Sequence, residues 1–197
     1  MKPNRFRKFL CSSLPSTAFV AITAAAISTT FAADVVWDGN TDSDGGDGIT
    51  FDSGLNWSTD AIPSVATPDN GVFNGTVAGA LSLSYGGAIN GASPNVGIGL
   101  NLAAAQTSAV TIDSGAVATA LRISGITISS GAGALTLGNS ADSFNITLGG
   151  GASTQTFTNN STNVATFRSD AVMSLGGGGN HLLNFAGSGD WAVASNM

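Results

Sequence analysis

The stretch Leu121-Arg122-Ile123-Ser124-Gly125-Ile126-Thr127-Ile128-Ser129-Ser130-Gly131-Ala132-Gly133-Ala134-Leu135-Thr136-Leu137 decides the fold class. It contains three short alternations of aliphatic and polar residues, at Leu121–Ile123, Ile126–Ile128 and Leu135–Leu137. Alternation with a period of two is typical of a half-buried β-strand. Small Ser and Gly residues separate the runs and indicate turns. We therefore expect three separate short strands here.

The same pattern extends in both directions along the chain. Aliphatic or aromatic centres recur about every eleven residues, at Ile112, Ile123, Leu135, Ile146 and Phe157. Further β-favouring runs lie on either side of this region. They are Gly71–Phe73, Ala80–Tyr85, Ala109–Ile112, Phe144–Leu148, Thr156–Thr158, Val164–Phe167, Val172–Leu175, Leu182–Phe185 and Trp191–Val193.

Short strands at regular spacing are typical either of a β-sandwich or barrel or of a stack of repeated coils. The strands here are very short, small residues dominate, and the turns are polar with almost no charge. Stacked coils tolerate ladders of Ser, Thr and Asn but are destabilised by stacked like charges. We predict an all-β fold, a right-handed parallel β-solenoid (β-helix) over residues 71–197, with a coil period in the twenties or low thirties. A β-sandwich is the alternative.

The composition of the 197-residue chain excludes other classes. Hydrophobic residues make up 43% of the chain, which is sufficient for a packed core, whereas charged residues make up only 9%. Glu is absent, and Lys2 and Lys8 are the only lysines. Because the ordinary helix-forming residues are scarce, a helical bundle is excluded and a doubly wound α/β fold is disfavoured. Leu102–Gln106 is the nearest candidate for a helix.

Residues 1–32 have the pattern of a cleaved signal peptide. A basic segment comes first, an apolar run is clearest over 18–27, and small residues follow up to Ala32. The apolar run is about half the ~20 residues that a membrane-spanning helix needs. We therefore expect export, cleavage after Ala32, and a secreted or cell-surface location with no membrane span in the mature chain.

The mature chain from Ala33 is strongly acidic. It keeps all 12 Asp but only Arg122 and Arg168, so its formal charge is −10. Nucleic acid is not an expected partner, because its recognition requires a basic surface. The only cysteine, Cys11, is removed with the signal peptide, which excludes a disulfide or a thiolate nucleophile in the mature chain.

Residues 33–70 differ in composition and are predicted to form a small N-terminal cap. They hold eight of the twelve Asp, together with Trp37 and Trp57. We expect short strands at Val35–Trp37 and Ile49–Phe51 and an aromatic cluster of the two tryptophans that closes one end of the core. A solenoid needs such a cap to cover its terminal edge.

The Asp-rich loop 38–48 is the best candidate for a metal site. Asn40, Asp42, Asp44 and Gly45 match positions one, three, five and six of an EF-hand-type calcium loop, and Asp47 adds a carboxylate. Position twelve, where that loop requires an acidic ligand, is Phe51. Weak calcium binding by Asn40, Asp42, Asp44 and Asp47 is therefore the prediction, and a solvated turn-rich loop is the alternative.

No catalytic pattern is recognisable in the sequence. His181 is the only histidine and is interpreted as a turn residue, and the glycine runs at 149–151 and 176–179 lack the Lys-Ser/Thr of a phosphate loop. Glycoside hydrolysis requires two carboxylates at one sugar bond. Beyond residue 70 the acidic residues are isolated, namely Asp113, Asp142, Asp170 and Asp190. We expect a protein that is not an enzyme and needs no cofactor other than possible calcium.

Several segments resemble secreted bacterial proteins with autotransporter-associated β-strand repeats. The opening is similar at Val35–Gly39, Asn56–Ser58 and Pro68–Gly75, and the coils are similar at Ile126–Asn139 and Leu183–Trp191. The resemblance implies a β-solenoid passenger. It also implies that this chain is the N-terminal part of a longer protein, since such passengers are usually much longer.

These observations predict an exported structural or adhesive surface protein, an autotransporter-like passenger. Its expected partners are extracellular polysaccharide, other surface proteins, or a second copy that associates through the open end of the solenoid. The alternative is a secreted carbohydrate-binding module in which Trp37, Trp57 or Trp191 stacks on sugar rings. A polysaccharide-degrading β-helix enzyme is a third and weaker alternative.

Overall fold

The computed structural model describes residues 32–89, 97–114, 119–138, 144–149, 154–168, 171–175 and 182–194, and these form β-structure with one 3₁₀ turn at Gly54–Asn56. Thirteen strands are present in this part of the chain. They are β1 (Asp34–Val36), β2 (Asn70–Phe73), β3 (Leu81–Ser84), β4 (Ile98–Leu102), β5 (Val110–Asp113), β6 (Thr119–Ile128), β7 (Leu135–Leu137), β8 (Phe144–Leu148), β9 (Thr154–Asn159), β10 (Ala165–Phe167), β11 (Ala171–Leu175), β12 (Leu182–Ala186) and β13 (Trp191–Val193).

The strands stack in three faces, and every pair of described strands is parallel. Face A contains β1, β2, β4, the second half of β6, β9 and β12. Face B contains β3, β5, β7, β10 and β13, and face C contains the first half of β6, β8 and β11. The predicted parallel β-solenoid is confirmed. The alternative β-sandwich is wrong, because such sandwiches are built from antiparallel sheets.

The coil length agrees with the sequence prediction. From β2 onward, paired residues on adjacent coils are between 25 positions apart, as in Val110 and Leu135, and 31 positions apart, as in Gly125 and Thr156. Coil-to-coil variation of this size is accommodated at the turns. Most strands therefore keep their register while the turns differ in length, and the pairing of β4 with β6 is an exception that contains a register shift.

The core is a continuous apolar column inside the three faces. All five residues of the eleven-residue pattern, from Ile112 to Phe157, are at most 1% exposed. On face B, alternate residues point inward and outward, as in β5 and β7, whose burial alternates between buried and half-buried positions. Burial of aliphatic side chains at about 25 cal/mol per Å² is the main stabilising contribution available to a chain without disulfides.

Strand β6 differs from its prediction in a way that shapes the surface. Leu121–Ile123 and Ile126–Ile128 are not separate strands but the two halves of Thr119–Ile128. The register between β4 and β6 shifts between Ile98 and Gly99, so that Ser124 is an extra residue, a β-bulge. The bulge turns β6 from face C to face A, and a bend replaces the expected turn.

Three other local predictions are corrected by the structure. Leu102–Gln106 is not a helix, because Leu102 ends β4 and a turn follows in which Gln106 N–H donates to the Ala103 carbonyl at 2.9 Å. Ile49–Phe51 is not a regular strand, and only Thr50 makes a parallel bridge, to Ser84. Strand β4 was not predicted from the sequence. Its glycine and asparagine lie between Ile98 and Leu102 and weaken the pattern of alternating aliphatic and polar residues.

Residues 33–70 cover the N-terminal edges of the first complete coil. On face A, Ser58 N–H donates to the Val36 carbonyl at 2.9 Å, and Asp38 N–H donates to the Asn56 carbonyl at 3.0 Å, which covers the free side of β1. On face B, Phe51 N–H donates to the Ser84 carbonyl at 2.8 Å. Because an uncovered strand edge is a template for further pairing, these bonds close this end of the solenoid.

The predicted aromatic cluster of Trp37 and Trp57 is present beneath this covering segment. The two rings pack edge to face with centroids 5.1 Å apart. Phe51 and Phe73 extend the cluster, and Tyr85 contacts Phe51 at 6.1 Å. The indole N–H of Trp57 donates to the Phe51 carbonyl at 2.8 Å, so this ring is both packed and hydrogen-bonded.

The last described coil is less well covered. Leu182 is 63% exposed and Phe185 is 37% exposed, although Phe185 also packs on Trp191 with a centroid distance of 5.1 Å. In the described part of the chain, β11, β12 and β13 each pair with one neighbouring strand only. This end of the structure therefore presents apolar side chains and unpaired strand edges together.

Candidate functional site

The loop between Asp38 and Gly48 is shaped by side chains that bind its own backbone. The Asp42 and Asp44 carboxylates accept hydrogen bonds from Asp44 N–H at 3.4 Å and Gly46 N–H at 3.1 Å, respectively. Asn40 has φ of 77°, and its side-chain oxygen accepts from Gly45 N–H at 3.1 Å. Asn and Asp tolerate such backbone and make such turns, which explains why the loop is rich in them.

An acidic cluster forms where this loop meets a turn that follows the 3₁₀ segment. One carboxylate oxygen each of Asp42, Asp44 and Asp60 lie within 4.8 Å of one another. Asp60 has φ of 53°, and its N–H donates to the Trp57 carbonyl at 2.8 Å, which holds it near the loop. We name Asp42, Asp44 and Asp60 the acidic cluster.

Two of the four predicted calcium ligands lie outside the acidic cluster. Asn40 uses its side-chain oxygen on Gly45, as described above. Asp47 accepts hydrogen bonds from Thr50 N–H and Asn56 Nδ2, each at 2.8 Å, and from Ile49 N–H at 2.9 Å. The side-chain and backbone bonds from Thr50 hold the pKa of Asp47 well below its usual value. Asp47 is therefore committed to ordering the loop.

Asp60 was missed by the sequence reasoning. Asp60 lies 16 positions after Asp44 and outside any loop motif. The spacing alone therefore did not indicate that its carboxylate would lie close to those of Asp42 and Asp44. The signal that was available is indirect. Trp57 is fixed by the aromatic cluster, and Asp60 follows it by three residues, so a tight turn after Trp57 brings Asp60 back to the loop.

The electrostatics of the loop are dominated by uncompensated negative charge. Asp38 is only 5% exposed, and its burial raises the pKa of its carboxyl. The charges of Asp42, Asp44 and Asp60 raise this pKa further, while a hydrogen bond from Asn40 N–H opposes the shift. The charges of Asp42, Asp44 and Asp60 therefore act on the buried carboxyl of Asp38, and a cation bound among them would relieve this repulsion.

The donor set of the acidic cluster is suited to a hard cation. Calcium prefers several carboxylate and carbonyl oxygens in a flexible arrangement. One carboxylate oxygen of Asp44, Oδ2, is buried without a hydrogen-bond partner. Calcium binding stays a prediction, with Asp42, Asp44 and Asp60 as its carboxylates.

The tryptophans have little surface to offer to a sugar. Trp37 and Trp57 are 1% and 0% exposed, so neither ring face is available at the surface. Trp191 is half-buried and packs against Phe167 and Phe185, with ring centroids 5.8 and 5.1 Å apart, respectively. Stacking on Trp37 or Trp57, as the carbohydrate-binding alternative expected, is not compatible with this packing.

A polar groove lies on the outer surface of face A. It has a volume of about 260 Å³ and is lined by Asn70, Gly99, Leu100, Asn101, Ser124, Gly125 and Thr127. It crosses β2, β4 and β6 and ends at the Ser124 bulge. Sequence reasoning missed this groove, because its residues come from separate coils and because Gly125 was interpreted as part of a Ser-Gly turn.

The remaining predicted positions are partly described. Asp113 lies at the end of β5, and Asp190 lies in the turn before β13. Residues 1–31, which carry the predicted signal peptide, lie outside the described residues, as do Asp142, Asp170 and His181. Among the described residues, no helix has the length and apolar character needed to cross a membrane.

The fold and the sites together define a parallel β-solenoid with a covered N-terminal end, an acidic loop and a polar outer groove. Comparison with protein-family models, with curated proteins and with solved structures found no match to this chain.

Proposed function

We propose that this chain is an exported structural or adhesive surface protein, the N-terminal part of an autotransporter-like β-solenoid passenger. The observation that carries this proposal is the uncharged polar row on face B. Ser82, Thr111, Thr136 and Thr166 follow one another in register on successive strands, and Ala192 ends the row without a hydroxyl. A surface of repeated small hydroxyl side chains suits multivalent weak contact.

The solenoid itself supports a structural role. The strands of each coil pair with those of the adjacent coils, and the apolar column continues through all described coils. Such a stack is a stiff spacer, because bending it would break parallel strand pairing on at least one face. A stiff spacer that carries repeated polar rows presents its surface at a distance from its point of attachment.

The sequence of residues 1–32 supports export, as described above, and the surface chemistry is consistent with it. The mature chain would have 12 Asp and two Arg, so it would remain soluble and would not adhere to anionic polymers without a cation. The acidic cluster offers a place for such a cation. We propose a role without catalysis.

The adhesive role is tested with beads that carry the full chain after export from a Gram-negative host. Retention under flow is measured on surfaces coated with neutral polysaccharide, with anionic polysaccharide and with a second batch of the protein itself. The proposal expects retention on at least one surface well above that of beads carrying albumin. Retention equal to albumin on every surface would contradict adhesion and leave only the structural role.

A carbohydrate-binding module remains the second candidate. It no longer depends on Trp37 or Trp57, because both are buried. The observation that favours it is the polar groove on face A.

A further inference from the structure

We propose that the polar groove on face A binds a neutral glycan chain that runs along the solenoid axis, one sugar unit per coil. This proposal rests on the adhesive function above and names the ligand class for it. The first support is the composition of the groove. Its side chains are amides and hydroxyls, from Asn70, Asn101, Ser124 and Thr127, with no charged residue among the lining positions.

The floor of the groove is made of backbone. Gly99 and Gly125 are paired in register on β4 and β6. Gly99 is covered by the Asn70 amide, whereas Gly125 leaves the strand surface bare. A flat peptide surface lets a ring lie close to the main chain, which a side chain at either position would prevent. The volume of about 260 Å³ is slightly below the ~300–1,000 Å³ of sites for drug-sized ligands, and thus suits a small unit such as one sugar ring.

Gly99 is required by the position of the Asn70 amide. A Cβ atom at Gly99 would collide with Asn70 Oδ1. That amide is held in place from its other end, because Asn70 Nδ2 donates to Asp34 Oδ1 at 2.8 Å. The Asn70 carbonyl oxygen is therefore a fixed acceptor at one end of the groove, oriented for a ligand hydroxyl.

Asn101 provides a second polar group whose bonding is incomplete. Its side-chain oxygen is buried and has no hydrogen-bond partner. A buried acceptor without a partner is unfavourable, and this cost is removed when a donor reaches it. Rotation of the amide in the groove would present this oxygen to a ligand hydroxyl. Hydroxyl-rich ligands are thus favoured over apolar ones.

The groove continues as a polar row along the whole face. Its first row consists of Asn70, Gly99, Gly125, Thr156 and Asn184, which are in register on five successive strands. Neighbouring strands are about 4.8 Å apart, which is comparable with the length of one sugar unit in an extended glycan. A glycan chain laid across the strands therefore meets polar side chains at Asn70, Thr156 and Asn184 and uncovered main chain at Gly125 between them.

The test fills the groove without disturbing the strand. At Gly125 a Cβ atom would have only the Thr156 carbonyl oxygen near it, at 3.5 Å, an ordinary contact. Gly125→Thr therefore adds a side chain that points into the groove, next to Thr156 in the same row. The matched control is Val172→Thr, which places the same side chain at an exposed outward position on face C, outside the groove and outside the face B row.

Binding is measured for the full chain by affinity electrophoresis in gels that contain soluble β-glucan, dextran or galactomannan, with alginate as the anionic comparison. We expect retardation by at least one neutral polysaccharide, a loss of about tenfold or more in affinity for Gly125→Thr, and no change for Val172→Thr. Thermal unfolding of both variants verifies that they are folded.

Two results would contradict the proposal that the groove binds a neutral glycan. Both differ from the result that would contradict the adhesive function. If the gels retard the Gly125→Thr variant as strongly as the unaltered chain, the glycan binds outside the groove, and the adhesive function is not contradicted. The absence of retardation by all three neutral polysaccharides, combined with bead retention on another surface, rejects a glycan ligand while adhesion stands. Adhesion itself fails only if the beads are retained nowhere.

Discussion

Asp42 and Asp60 are 18 positions apart in the sequence, yet their carboxylate oxygens lie within 4.8 Å of each other, with Asp44 completing the group. The aromatic packing of Trp57 beneath the loop makes this approach possible. The expected calcium ligands therefore come from two segments of the cap and not from one continuous loop. Asp42 and Asp44 belong to the loop 38–48, and Asp60 belongs to the turn after the 3₁₀ segment.

Calcium is predicted to raise the melting temperature, because it binds the folded cluster and not the unfolded chain. At a concentration 100 times its Kd, the stabilisation would be about 2.7 kcal/mol. Asp60→Asn should abolish the effect as fully as Asp42→Asn. Titration calorimetry measures it directly, and the absence of heat with the unaltered chain would end the calcium hypothesis.

Asp47 serves as the internal control for this prediction. Its carboxylate orders Ile49, Thr50 and Asn56 and lies outside the acidic cluster. Asp47→Asn should lower stability with or without calcium while the heat of calcium binding remains. Loss of calcium binding in this variant and not in Asp60→Asn would restore the original loop-based ligand set.

Asp38→Asn is predicted to stabilise the calcium-free chain at neutral pH. Burial and the charges of Asp42, Asp44 and Asp60 raise the pKa of Asp38 in the folded state, so its ionisation is penalised on folding. The penalty is full above the raised pKa and disappears as the pH falls below the usual value of 3.8. We expect a rise in melting temperature of about 2–5 °C at pH 7 that shrinks toward zero in acid. An equal gain at all pH values would contradict a charge effect.

Trp57→Phe is predicted to loosen the N-terminal cap. The change removes the hydrogen bond to the Phe51 carbonyl and part of a fully buried ring. The expected loss in free energy of unfolding is about 1–3 kcal/mol, measured by urea denaturation. Leu55→Ala is the control, because Leu55 is 40% exposed and should change stability by less than about 0.5 kcal/mol. Equal effects of the two changes would show that the aromatic cluster does not stabilise the cap.

The last described coil is predicted to associate with a second copy at high protein concentration. Leu182 and Phe185 are exposed in this coil, and among the described residues β12 and β13 each pair with one strand, whereas residues 33–70 cover the first coil. Sedimentation velocity should show concentration-dependent association that Leu182→Ser and Phe185→Ser together reduce. Val164→Ser, at a position 43% exposed outside this end, should leave it unchanged. Association that is equally strong in both variants would place the contact elsewhere.

Much of the fold was predictable because burial in a solenoid follows a period of two. Leu135-Thr136-Leu137 alternates between buried and half-buried positions, and Ile146-Thr147-Leu148 also lies in a strand as expected, although Thr147 is buried with its neighbours. The β6 bulge was not predictable, since Ser124-Gly125 resembles a turn in sequence. Only the stacking of β8 and β9 on the two halves of β6 shows that the strand continues.

The candidate sites were less predictable than the fold, because they depend on contacts between distant segments. Asp42 and Asp44 were identified from local spacing, but Asp60 joins them through a turn fixed by Trp57. The groove depends on Gly99 and Gly125 being neighbours on adjacent coils, 26 positions apart. Local composition does not indicate that Asp60 lies close to Asp42 and Asp44, or that Gly99 and Gly125 are neighbours.

Export of the chain is the central claim, and it is tested most directly by the mass and location of the protein produced in a Gram-negative host. Cells are separated into cytoplasmic and extracytoplasmic fractions, and intact-mass spectrometry identifies the first residue of the chain in each. The account predicts a product that begins at Ala33 and lies outside the cytoplasm. A chain of all 197 residues that stays in the cytoplasm would contradict it.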